Sequence, residues 1–288
     1  MFSQKQCLIE LNISLLIMSV TTLFPKLIDL PVHYIIFGRS VIAACALYLY
    51  LKISRKKCFF PSAGRTYFTI ILTGILLAIH WLSLFKSIQI SSVSIGIISF
   101  FSYPVMTIFL EPFFFKNKLH FNDFLLSIFV IIGVCLILPD FELSNSATQG
   151  VMWGLLSAFF FALRNIISKE VLSVHSGEEV MMFQLMIAAL FLLPTIIIFN
   201  TDTAVAYPSV VKIIVLGLFF TAIPHTLLIR SLAGLRPKTV SILSSLQPFY
   251  CVIIAVLFLN EIPTFKVIIG GLFIVSAVLF ETFKCNKK

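Results

Sequence analysis

Two stretches decide the fold: "SSVSIGIISFFSYPVMTIFLEPFFFKNKLHFNDFLLSIFVIIGVCLIL" (Ser91–Leu138) and "KTVSILSSLQPFYCVIIAVLFLNEIPTFKVIIGGLFIVSAVLF" (Lys238–Phe280). Each runs from small residues through a proline and an apolar run to a short polar turn, then into a second apolar run. Sliding the chain by 144 residues lays Ile98, Pro104, Phe121, Phe129 and Val134 on Ile242, Pro248, Phe265, Phe273 and Val278. The register extends backwards, with Ile79 and Ser87 on Ile223 and Ser231, and Lys86 on Arg230. Chance identities are common between apolar segments. A shared register of proline, charge and break is more informative.

Working outward, apolar runs of about 18–24 residues fall at 8–25, 31–51, 66–88, 92–115, 121–139, 148–169, 178–199, 208–230, 237–259 and 264–283. At 1.5 Å per residue each is long enough to cross about 30 Å of hydrocarbon. Breaks between them carry Pro25, Pro31, Pro61, Pro139-Asp140, Pro208 and Pro237, residues that end helices. The third and fourth runs are separated only by Lys86 to Ser92, which requires a tight helical hairpin. Of 288 residues, 59% are hydrophobic and 11% charged, and the mean hydropathy is +1.07. A soluble domain carries about a quarter charged residues, so the solvent of this chain is largely lipid.

The net charge of +9 does not indicate nucleic acid, because the basic residues cluster between the apolar runs. With the N-terminus inside, fourteen Lys and Arg fall in inner segments and four at outer ends, Lys26, Lys86, Lys212 and Lys266. The positive-inside rule therefore places both termini in the cytoplasm, and the number of spans is even. The N-terminal run lacks a small-residue cleavage site and reads as a retained helix. Six scattered cysteines give neither a disulfide framework nor a metal site, and no cofactor is expected.

Five spans per half is an odd number, so the second half enters the membrane inverted. The expected fold is an all-α integral membrane protein of ten transmembrane helices, in two inverted five-helix repeats (8–139 and 148–284) around a central cavity. Inverted repeats are the architecture of alternating access, which points to a transporter.

The two quoted stretches resemble the drug/metabolite transporter superfamily in its ten-helix EamA-type branch. Arg39, in "YIIFGRSVIAACALYL", matches an arginine usual in the second helix of a repeat, and Lys26 and Lys169 resemble the lysines closing the first helix. Asn117 stands where the family usually has glutamate, a position the second half keeps as Glu261. The second-half counterpart of Arg39 falls near the uncharged Gln184. The resemblance implies a small-molecule substrate and no enzymatic activity. Family substrates include amino acids, nucleosides, vitamins, nucleotide sugars and S-adenosylmethionine.

A polar side chain inside a span faces the bundle or a cavity, since lipid offers no hydrogen bonds. The candidate cavity residues are accordingly Glu10, Asn12, Arg39, His80, Trp81, Tyr103, Arg164, Gln184, His225 and Gln247. Arg39 is either a substrate or gating contact or a structural link to another helix. Arg164 shares a stripe with Trp153, Ser157, Phe160 and Ser168; it either lines the cavity or snorkels to the cytoplasmic interface, with snorkelling favoured. Tyr103 and Gln247 precede the matched prolines. His80 and His225 offer proton relay or packing, Trp81 a face for a cationic or planar ligand, and Glu10 and Asn12 a carboxylate and an amide.

These features predict a secondary transporter of a small polar metabolite in a bacterial inner membrane, acting as monomer or homodimer. Lys, Ile and Phe usage suggests an AT-rich genome and a host-dependent bacterium, for which uptake or exchange of S-adenosylmethionine is the specific expectation. Amino-acid export is the alternative. No GxxxxGK[ST] loop is present, which excludes ATP hydrolysis by this chain. An intramembrane enzyme needs clustered catalytic motifs that the sequence lacks, and a passive channel is a further competing class.

Overall fold

The computed structural model describes residues 4–54, 64–115, 119, 121–137, 145–198, 206–244 and 247–285. The expected features at Arg55, Lys56, Lys57, Pro61, Lys116, Asn117, Lys118, Pro139-Asp140, Lys287 and Lys288 lie outside the described residues. Within them the chain is all helix, with no strand. Apolar surroundings dictate this, because a helix satisfies its own backbone groups where water cannot.

The helices are α1 Gln4–Thr21, α2 Phe24–Leu27, α3 Val32–Ile53, α4 Arg65–Ile90, α5 Val93–Phe100, α6 Tyr103–Phe114 and α7 Phe121–Ile137. They continue with α8 Ser146–Val171, α9 Gly177–Ile198, α10 Tyr207–Gly217, a π-helical turn Leu218–Ala222, α11 Ile223–Gly234, α12 Pro237–Leu243, α13 Gln247–Leu259 and α14 Phe265–Cys285. Seven stretches among the described residues are long and apolar enough to cross a membrane: Gln4–Leu27, Val32–Ile53, Arg65–Ile90, Val93–Phe114, Ser146–Val171, Gly177–Ile198 and Tyr207–Gly234. The runs expected at 121–139, 237–259 and 264–283 coincide with the 17 residues of α7, with α12 and α13, and with the 21 residues of α14.

The expected hairpin is present and tighter than its polar stretch suggested. α4 continues to Ile90, and only Ser91 and Ser92 connect it to α5. Ser92 makes this possible by capping α5, its Oγ accepting the Ile95 N–H at 3.1 Å. The fourth run divides into α5 and α6 at Phe101–Ser102, directly before Pro104, which has no N–H to donate back into the helix. In the second half, α13 begins at Gln247 with Pro248 next.

Helix pairs recur across the halves. α4 packs on α8 and α1 on α11; α3 packs on α9, and α7 on α14. Side chains 143 residues apart make the same bonds. Lys26 Nζ donates to the carbonyls of Gln89 and Ser91 at the end of α4 (3.4 and 2.8 Å), and Lys169 Nζ to those of Leu232 and Leu235 at the end of α11 (2.8 and 2.7 Å). Ser14 Oγ donates to the Pro224 carbonyl at 2.7 Å, and Ser157 Oγ to the His80 carbonyl at 3.1 Å. The two serines each reach from one half into the other, at acceptors 144 apart, whereas the lysine bonds lie within a half.

At one end of the bundle α13 stops at Asn260, whose φ of 54° is the left-handed conformation that asparagine tolerates better than most residues. This turn carries Glu261 to the start of α5, where Oε2 accepts the Val93 N–H at 2.8 Å and Oε1 lies 3.9 Å from Lys26 Nζ. A carboxylate suits a helix N-terminus. Glu261→Ala is expected to cost about 0.5–2 kcal/mol, read as a lower melting temperature of the detergent-solubilised protein. Glu261→Gln should lose less.

Candidate functional site

Arg39 sits about a third of the way along α3 with no exposed surface. Its guanidinium lies over the Trp81 ring at 4.0 Å and the Phe85 ring at 5.1 Å, both on α4. Its Nε donates to Thr221 Oγ1 at 2.9 Å, and Nη2 lies 3.5 Å from His225 Nε2. Nη1 is buried and has no hydrogen-bond partner among the described residues, as is His225 Nδ1. His225 meets the edge of Trp81 at 4.9 Å.

The backbone behind Arg39 explains how Thr221 comes to face it. Leu218–Ala222 forms a π-helical turn between α10 and α11, and π-turns inside helices are frequent at functional sites. Thr221 Oγ1 donates back to the Leu216 carbonyl at 2.7 Å, five residues earlier, leaving its lone pairs to Arg39. Pro224 cannot donate to the Phe220 carbonyl, and Thr21 Oγ1 of α1 does so instead at 3.1 Å.

Arg39, His80, Trp81, His225 and Gln247 line one cavity, and Thr21, Thr22, Phe85 and Phe100 are also in its wall. Its volume is about 30 Å³, room for no more than a water or two. A larger groove of about 420 Å³ between α6, α7 and α8 has an almost wholly apolar lining and contains none of the candidate residues.

His80, beside Trp81, is held through Ser157 of α8. The Ser157 hydroxyl proton goes to the His80 carbonyl, so the 2.7 Å contact from His80 Nδ1 to Ser157 Oγ has the imidazole N–H as donor. Phe100 and Phe161 enclose the ring at 5.2 and 4.7 Å. Tyr103 is buried nearby, stacked on Phe100 at 5.0 Å and edge-on to Phe161 at 4.9 Å.

Arg164 does not snorkel. It is fully buried; Nε donates to Gln184 Oε1 at 3.1 Å, with Nη2 on the same oxygen, and Nη1 donates to Asn165 Oδ1 at 3.2 Å. Gln184 Nε2 in turn donates to Ser168 Oγ at 2.9 Å. The end of α8 is already occupied by Lys169, and α9 offers the guanidinium an amide acceptor, so the side chain turns inward. Gln184, near the position corresponding to Arg39, is therefore the partner of the second arginine. Of the expected stripe, Ser157, Arg164 and Ser168 are buried, while Trp153 is 38% exposed on the outer face.

Glu10 and Asn12 stand apart from this centre. Glu10 Oε1 accepts from Arg230 Nη2 at 2.6 Å, and Arg230 Nη1 reaches Glu178 Oε1 at 3.4 Å, an ionic triad joining α1, α11 and α9. Asn12 is exposed and donates to the Leu8 carbonyl of its own helix at 2.8 Å. Thr221, Phe85 and the Arg230 triad were missed in the sequence. Thr221 could have been found as the polar residue one helical turn before His225; nothing local marks the triad.

The described residues form a multi-pass helical bundle with a buried, charged and aromatic centre, and the family match places it among the membrane transporters. The EamA-like transporter family matches residues 8–138 and 148–283, and the chain belongs to it, and so to the drug/metabolite transporter superfamily. An uncharacterized transporter, YxxF, of Bacillus subtilis (strain 168) is 26% identical over 268 residues, covering 91% of this chain and 85% of that protein. An uncharacterized transporter of Archaeoglobus fulgidus is 28% identical over 204 residues, 69% of each chain. A solved crystal structure superposes with a TM-score of 0.75 at 13% identity, covering 98% of this chain and 97% of that one, a likeness of fold.

Proposed function

We propose that this transporter carries a small polar metabolite across a bacterial inner membrane by alternating access. Its ten spans form two inverted halves, 8–139 and 148–284, with both termini in the cytoplasm. The observation that carries the reading is the reciprocal pair of bonds between the halves, Ser14 to the Pro224 carbonyl and Ser157 to the His80 carbonyl, alongside the matching bonds that Lys26 and Lys169 each make within their own half. Equivalent contacts made in both directions indicate two halves of like structure, and the exchange of conformations between such halves is what a rocking carrier requires. The divided helices before Pro104 and Pro248 support a binding site between the halves. So does the centre itself, too small to admit a metabolite unless the halves move.

Arg39, His80, Trp81, His225 and Gln247 form the substrate site in this reading, with Tyr103 packed beside it. Arg164 and Gln184 brace the second half, and Glu10 belongs to the ionic triad. Two substrates suit the site. S-adenosylmethionine brings a planar adenine for the aromatic side chains, and free amino acids bring a group for Arg39. The described lining contains no carboxylate to favour a sulfonium, which supports the amino-acid reading. Counterflow in proteoliposomes tests the function: preloaded unlabelled solute is expected to drive saturable uptake of the labelled one. An enzyme or channel gives no such exchange, and its failure for every amino acid and for S-adenosylmethionine would overturn the proposal.

A further inference from the structure

The guanidinium of Arg39 carries only donors, so in the 3.5 Å contact with Nη2 it is His225 Nε2 that accepts. The remaining proton of a neutral His225 is then on Nδ1. Nδ1 of His225 and Nη1 of Arg39 are thus both buried donors without partners among the described residues, and both side chains line the same cavity. A buried donor left unsatisfied loses its hydration with nothing in return, and the cost is larger when the group is charged.

The charge balance points the same way. Arg39 and Arg164 are both within electrostatic reach of His80 and His225, and the described lining of the cavity holds no carboxylate. Arg164 is met by neutral acceptors, Gln184 and Asn165. The Trp81 and Phe85 faces offset only part of the cost of burying the Arg39 charge. A chain under no other demand would place a carboxylate opposite Arg39, or a methionine in its stead.

We infer that Arg39 and His225 form an anion subsite that takes the carboxylate of the transported molecule. The inference rests on the carrier reading above and narrows it: the group selected is the α-carboxylate that free amino acids and S-adenosylmethionine share. Arg39 supplies charge and Nη1, His225 supplies Nδ1–H, and Trp81 forms the floor beneath the guanidinium.

Trp81 is also the reporter. The chain has two tryptophans, so Trp153→Phe on the outer face leaves Trp81 alone. The purified full chain is titrated with matched pairs: L-methionine against L-methioninamide, and S-adenosylmethionine against its decarboxylated form, with acetate as the minimal carboxylate. The acid of at least one pair is expected to change Trp81 emission and bind at least tenfold more tightly than its partner, the responding pair identifying the substrate. Arg39→Gln should erase that difference. Equal affinity within every pair, no response to any carboxylate, or a difference that survives Arg39→Gln overturns the subsite. Counterflow separates the two failures. Exchange that carries amides as well as acids defeats the subsite and spares the carrier; no exchange of any solute defeats both.

Discussion

Arg39→Met is expected to abolish counterflow and at the same time to leave the protein as stable as the parent or more so. Among the described residues the buried guanidinium meets no carboxylate, and replacing such a charge by an apolar residue of similar volume is neutral or stabilising by about 1–4 kcal/mol. A hydrogen bond to a charged group contributes about 1.5–3 kcal/mol, so loss of the substrate contact at Nη1 alone lowers affinity by about ten- to a hundredfold, and loss of the charge lowers it further. A melting curve in detergent and a counterflow rate in liposomes read the two effects separately. A structural Arg39 would give the opposite pattern, a lower melting temperature with transport reduced only in proportion to folded protein. Arg39→Lys keeps the charge and loses the planar fork, and is expected to fall between.

Arg230→Met is the second large effect, and its sign is reversed. Arg230 joins Glu10 at 2.6 Å and Glu178 at 3.4 Å, with side-chain exposures of 20%, 16% and 4% respectively. Removing it leaves two carboxylates facing each other in a largely dry site. Breaking a fully buried pair costs about 3–5 kcal/mol; with part of this triad open to water, about 2–3 kcal/mol is the expected loss. The melting temperature should fall by several degrees. Adding Glu10→Gln removes one of the repelling charges, so the double variant should recover part of the loss. If Glu10→Gln made Arg230→Met worse, the triad would not be the stabilising unit described.

These two arginines show what one sequence carries. Arg39 stood out because any charge in the middle of an apolar run is conspicuous, and the same contrast exposed His80, Trp81, His225 and Gln247, which line one cavity. The helices and their breaks were legible for a like reason, since length, hydropathy and proline act locally. Pairings were not. Glu10 and Arg230 are 220 residues apart, and each alone reads as an interfacial charge. Arg164 has a side chain long enough to reach either the interface or α9, and only the packed position of Gln184 decides between them. Thr221 is placed by a π-helical turn that no residue pattern announces.

The central claim is that the Arg39 cavity opens to each side of the membrane in turn. The most direct measurement places a single cysteine at Thr22, in the cavity wall, in a chain whose six native cysteines are replaced, and labels it with a membrane-impermeant thiol reagent from either face of sealed vesicles. The account predicts labelling from both faces, with reaction from one face lowered whenever the opposite-facing conformation is trapped. Labelling from one face alone, whatever solute is added, would contradict it.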